Sequence, residues 1–104
     1  MELRLAQSAV ADLQDILSHY REQGVPHIGE QPVSVMLVSA ILEHCEMLLQ
    51  HPESGRIVPE FNQPHVREVI HPPFRLVYLR EADQIALIRV WRSERQLELS
   101  ADDI

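Results

Sequence analysis

The run from Gly55 to Leu97, GRIVPEFNQPHVREVIHPPFRLVYLREADQIALIRVWRSERQL, constrains the fold of this chain more than any other part of it. Three segments rich in Val, Ile, Leu, Phe and Tyr are divided by Pro72-Pro73 and by Glu81-Ala82-Asp83, which is how consecutive antiparallel strands are written in sequence. Strands are expected at about 65–71, 74–81 and 84–92. In the second, Phe74, Leu76 and Tyr78 alternate with Arg75, Val77 and Leu79, so both faces carry apolar side chains and helices can cover one of them. Arginine recurs through the whole run, at Arg56, Arg67, Arg75, Arg80, Arg89, Arg92 and Arg95, which suits an anionic or carboxylate-bearing partner.

The first half has a different period. Leu3 and Leu5 share one side of a short segment, ELRLA, that fits an edge or pairing strand. Ser8 is the expected N-cap of a helix in which Ala9, Leu13, Ile16, Leu17 and Tyr20 recur at helical spacing, with Asp12, Asp15, His19 and Glu22 on the other side. Gly24 ends it, and GVPHIGEQP reads as a linker. Pro32 fits the first turn of a second helix reaching about Gln50, where Val35, Val38, Ile41, Leu42, Cys45, Leu48 and Leu49 form a wide apolar stripe. The expected architecture is α+β: an N-terminal strand, then an antiparallel helix hairpin packed on a small antiparallel sheet, in the order β-α-α-β-β-β. With 104 residues and 45% hydrophobic content, one domain spanning 1–104 is expected, its residues 98–104 forming a frayed acidic tail.

The net charge of −7 speaks against direct, specific binding of nucleic acid, but it is unevenly spread. Residues 1–55 hold eight acids and two arginines, whereas residues 56–98 hold six acids and seven arginines. Every basic residue is arginine and none is lysine, which favours forked contacts with carboxylate or phosphate or reflects codon bias. No run of about 18 apolar residues and no secretion signal is present, so a soluble, cytoplasmic protein with no membrane partner is expected. Six histidines raise the question of metal. His44 and Cys45 are adjacent and point apart on a helix, His44 and His51 are about two turns apart, and no paired-cysteine or H-E-x-x-H motif exists. Neither a metal nor a cofactor is expected. Cys45 reads as a buried small hydrophobe, and Trp91 as a partner anchor or a core residue.

The string Gly55-Arg56-Ile57-Val58-Pro59-Glu60, then Val66-Arg67-Glu68, Phe74-Arg75-Leu76-Val77-Tyr78, Ile88-Arg89-Val90, Arg95 and Leu97 resembles the RelE/ParE toxin superfamily, and within it the ParE branch. The resemblance implies the toxin of a bacterial type II toxin–antitoxin pair, of the sort that serves plasmid stabilisation. It implies neutralisation by a cognate antitoxin, of ribbon-helix-helix or similar type, in a toxin–antitoxin hetero-oligomer. ParE-like members poison DNA gyrase, and RelE-like members cleave mRNA on the ribosome. Cleavage needs a base for the ribose hydroxyl, an acid for the leaving oxygen and cations for the developing charge. Those nucleases place a histidine or tyrosine near the end of the last strand, where this chain has Trp91-Arg92-Ser93-Glu94. A guanidinium stays charged and is a poor base. The expectation is therefore a gyrase-binding inhibitor with no catalytic residue. The alternatives are a RelE-like ribosome-dependent endonuclease and a degenerate toxin that only binds its antitoxin. Candidate target- or antitoxin-binding residues are Arg56, Arg67, Arg75, Trp91, Arg92 and Arg95, with solvated ion pairs to Glu60, Glu68 or Glu94 as the plainer reading of the arginines.

Overall fold

A computed structural model describes residues 1–22, 27–28 and 31–93, with side chains placed for 1–19 and 34–93. The expected Gly24 helix stop, Arg95, Leu97 and the 98–104 tail lie outside the described residues. In chain order the elements are β1 (Glu2–Leu5), α1 (Gln7–Glu22), β2 (His27–Ile28), β3 (Gln31–Pro32), α2 (Val33–Met47), β4 (Arg56–Ile57), β5 (Val66–His71), β6 (Phe74–Arg80) and β7 (Gln84–Arg92). The three long strands fall within a residue of the positions expected from Pro72-Pro73 and Glu81-Ala82-Asp83. Pro72-Pro73, joined by a cis peptide, turns β5 into β6.

The sheet has five strands in the order β1-β7-β6-β5-β4. It is mixed rather than antiparallel throughout, because β1 runs parallel to β7 with Leu3 opposite Ile85 and Leu5 opposite Leu87. That pairing joins the first strand to the last, a long-range choice that the local pattern of ELRLA does not encode. Two further differences are local. The segment expected to be a linker contains a two-residue antiparallel ladder, β2 with β3. Arg56 and Ile57 form a fifth strand, too short to carry a period of its own.

The helix ends also differ from expectation. α1 begins at Gln7, and the Val10 amide donates to the Ala6 carbonyl, so Ala6 rather than Ser8 stands at the N-cap. The α-helical part of α2 stops at Met47, after which the amides of Leu48, Leu49 and Gln50 each reach back three residues, tightening the last turn.

Both sheet faces are covered. On one, Ala9, Leu13 and Ile16 of α1 and Ile41 and Cys45 of α2 pack on Phe74, Leu76, Leu87 and Val90. On the other, Val58, Val66, Val77, Ala86 and Ile88 form a second core roofed by Phe61, Leu79 and Trp91. The period-2 alternation of β6 is what allows this: one strand feeds two cores. Burial pushes the Cys45 thiol up to about 12, so it stays protonated and apolar in character.

Tyr78 is fully buried at the centre of β6. Its hydroxyl accepts from the Gly55 amide at 3.0 Å and donates to the Pro52 carbonyl at 2.9 Å, fixing the turn that leads from α2 into β4. A Cβ at Gly55 would lie 2.5 Å from the Tyr78 hydroxyl and 2.7 Å from the Glu68 carbonyl oxygen, so only glycine fits. Gly55→Ala should therefore lower the unfolding free energy by about 1–3 kcal/mol through overpacking. Tyr78→Phe should cost about 1–3 kcal/mol by leaving buried polar groups unpaired. Urea unfolding checks both, and an unchanged Gly55→Ala midpoint would contradict the close approach.

Candidate functional site

Two clusters of charged side chains stand out, one on the face away from the helices and one at the β7 edge of the sheet. On the face away from the helices, β5 directs Glu68 inward between Val66 and the strand end, and β4 and β6 bring an arginine to either side of it. Arg56, directly opposite Glu68 in the β4–β5 ladder, donates through Nε to Glu68 Oε1 at 2.7 Å. Arg75 donates through Nε to Glu68 Oε2 at 2.8 Å. Its two remaining nitrogens form a fork on Glu60, Nη1 to Oε2 at 2.8 Å and Nη2 to Oε1 at 3.0 Å. Glu60 is held there by the loop 58–62, in which the Phe61 and Asn62 amides donate to the Val58 carbonyl and Asn62 adopts a φ of 50°. The Glu68 side chain is 0% exposed and that of Arg75 8%, so this pair is interior, while Glu60 at 28% and Arg56 at 61% carry the network out to solvent. The fork from Glu60, then Glu68, raises the Arg75 pKa further above its ordinary value despite burial.

At the edge of the sheet, the end of β7 meets α1. Past Leu5, β1 no longer covers the β7 edge, and Asp12 takes its place. Asp12 Oδ2 accepts from the Val90 amide at 2.9 Å and from Arg89 Nε at 2.8 Å, while Oδ1 accepts from Arg89 Nη2 at 3.1 Å. The Arg89 guanidinium also lies over the Trp91 ring, 4.2 Å from its centroid. Beside this junction Asp12, Asp15, Ile16, His19, Phe74, Val90, Trp91 and Arg92 line a groove of about 420 Å³, apolar at its floor and charged at its rim.

The five candidates among the described residues thus separate. Arg56 and Arg75 meet on Glu68. Arg67 points to the opposite face of β5, where Nε donates to the Pro64 carbonyl at 2.9 Å and Nη1 to the Gly55 carbonyl at 3.0 Å, bracing two turns. Trp91 and Arg92 share the groove at the end of β7. Arg67, Arg75 and Arg92 do not converge, because strand alternation and the sheet's width set them apart. Sequence reasoning missed two pairs. One is Asp12–Arg89, signalled by a charge inside the apolar run of β7, which needs a partner. The other is His44 with His71, whose Nδ1 atoms stand 3.1 Å apart although they are 27 residues apart in sequence. No local signal pointed to that contact. Among the described residues, no group of three or more His, Cys, Asp or Glu side chains is placed to hold a metal ion.

The family described as ParE toxin of type II toxin-antitoxin system, parDE, matches residues 3–97. The chain belongs to the ParE toxin family. It is thereby placed among the toxins of type II toxin–antitoxin systems. A solved structure titled chromosomal ParDE TA system from P. aeruginosa is similar at 26% identity and a TM-score of 0.70, covering 90% of this chain and 97% of that one. A conserved hypothetical protein from Helicobacter pylori, solved in solution, is similar at 21% identity and a TM-score of 0.42, covering 88% of this chain and 93% of that one. No curated protein gives a significant match. Among the described residues of this ParE-family chain, no helix is long and apolar enough to cross a membrane.

Two outcomes follow from the geometry. Arg75→Ala leaves the Glu68 carboxylate with half its partners, and should cost about 3–5 kcal/mol in denaturant unfolding, as expected for one member of a buried pair. Burial, and then the neighbouring His71, hold His44 below its ordinary pKa of 6.5. The unfolded chain then takes up a proton that the folded chain resists, so stability falls as pH drops through and below 6.5. Melting temperatures between neutral and mildly acid pH should show this slope in the wild type and a shallower one in His44→Gln.

Proposed function

We propose that this ParE-family chain is restrained by a cognate antitoxin and, when released, inhibits DNA gyrase by occupying a protein surface rather than by cutting RNA. The observation that carries this reading is the state of the arginines. A ribonuclease of the wider superfamily needs cations open to a phosphate and a titratable ring to move a proton. Here all three nitrogens of Arg75 already serve carboxylates, Arg56 is committed to Glu68, and Arg67 holds backbone carbonyls. At the end of the last strand stands Arg92, a permanent cation that neither accepts nor releases a proton in the working pH range.

What such a surface offers instead is recognition. The groove beside Arg92 and Trp91 has an apolar floor from Ile16, Phe74 and Val90, with acids and a cation at its rim, a composition that suits an inserted side chain framed by charge-assisted contacts. The antitoxin is the second partner, supported by the family and by likeness to a protein whose structure is titled as a ParDE system. A toxin–antitoxin hetero-oligomer follows from that pairing.

The test is gyrase supercoiling with the purified chain, with and without quinolone-type trapping of cleaved DNA. Inhibition is expected, and Arg92→Ala should weaken it about tenfold, the scale of one lost charged interface contact, while leaving the fold intact. No inhibition and no trapped complex at micromolar protein, with cleavage of mRNA on translating ribosomes, would replace this reading by that of an endonuclease. Neither activity, alongside tight antitoxin binding, would mark a degenerate toxin.

A further inference from the structure

We propose that His44 and His71 form a chelating site for one transition-metal ion of the zinc–copper group, bound through both Nδ1 atoms. His44 lies in the last turns of α2 and His71 ends β5, immediately before Pro72-Pro73, so an ion here would staple the helix to the sheet. The rings are tilted at 51° with centroids 5.3 Å apart, so they meet at their nitrogens rather than stacking. The Nδ1 separation is 3.1 Å. Two imidazole nitrogens each about 2.0–2.1 Å from one ion stand about 3.0–3.4 Å apart when the angle at the metal is about 95–110°. The observed bite falls inside that range, and because the two Nδ1 atoms face each other head-on, a rotation of the rings about their Cβ–Cγ bonds turns both lone pairs onto one ion.

A neutral imidazole carries a lone pair on one ring nitrogen, which is the form that binds a metal ion. In the metal-free pair one ring donates an Nδ1 proton to the other. On binding, that proton moves to Nε2 of its own ring, both Nδ1 lone pairs face the ion, and no net charge is lost. Both rings are half-buried, so an ion can enter from solvent. Cys45, next in sequence to His44, is no ligand: it is turned into the core and stays a thiol. With two protein ligands among the described residues, water completes the shell. An all-imidazole donor set selects Zn²⁺, Ni²⁺ or Cu²⁺ over Mg²⁺ or Ca²⁺.

The experiment is calorimetric titration of the full chain with ZnCl₂ and CuCl₂, in chelator-free buffer and with MgCl₂ as control. One ion per chain is expected, with a melting temperature that rises with free metal, because the folded state alone presents the pair. His44→Gln and His71→Gln should each lower the affinity at least tenfold, and His51→Gln should leave it unchanged. Nitrogen NMR of the wild type guards against a misfolded variant: the Nδ1 resonances of both rings must shift together on adding Zn²⁺. Absence of binding at about 100 µM ion, a level that would register for any site able to stabilise the fold, overturns the proposal. So does affinity retained in both glutamine variants, or a shift confined to other histidines.

Discussion

The Glu68 side chain is wholly out of water, and the guanidinium groups of Arg56 and Arg75 meet its two oxygens in place of the lost hydration. Three strands are pinned by this one group. β4 consists of two residues and has almost no ladder of its own, so its attachment to β5 rests heavily on the Arg56 contact. Arg75 carries the network on to Glu60 and so ties down the loop that roofs the second core with Val58 and Phe61. The desolvation cost of the Glu68–Arg75 pair is offset only when its partners are present, which makes the arrangement specific to this fold rather than a large source of stability.

The same network explains how far the sequence could be read. β5, β6 and β7 were legible because each is longer than five residues, alternates with period 2 and is bounded by proline or by a polar tip. The helices were legible from their apolar spacing, but α1 is entered from Ala6, whose amide donates to the Leu87 carbonyl of β7 and whose carbonyl accepts the first helical bond, so its start is set by the sheet and not by a capping motif in the sequence. β4 and the parallel seat of β1 were not legible: both depend on contacts far away in sequence, which a local period does not record. At the site, the arginines were recognised as a set and their plainer reading as partners of Glu60 and Glu68 proved right for Arg75, though as an interior pairing and not a solvated one. Arg95, the last of that set, lies outside the described residues. His44 and His71 were read one at a time because the fold alone brings them together.

Arg75 lies in the interior on Glu60 and Glu68, Arg56 reaches solvent from the same Glu68 carboxylate, and Arg92 stands beside the α1 groove. The sheet holds its strands by apolar contacts on both faces, so the charged side chains at its margins are not what sets the course of the backbone.

Asp12 offers a last consequence. By accepting the Val90 amide, its carboxylate does what the carbonyl of a neighbouring strand would do, at the point where β1 has run out. An outer margin with a spare amide is a template on which identical molecules zip together. Here that template is occupied by a side chain anchored on a helix and further locked by Arg89, so the Val90 amide, on the stretch of β7 beyond β1, is withheld from a second strand.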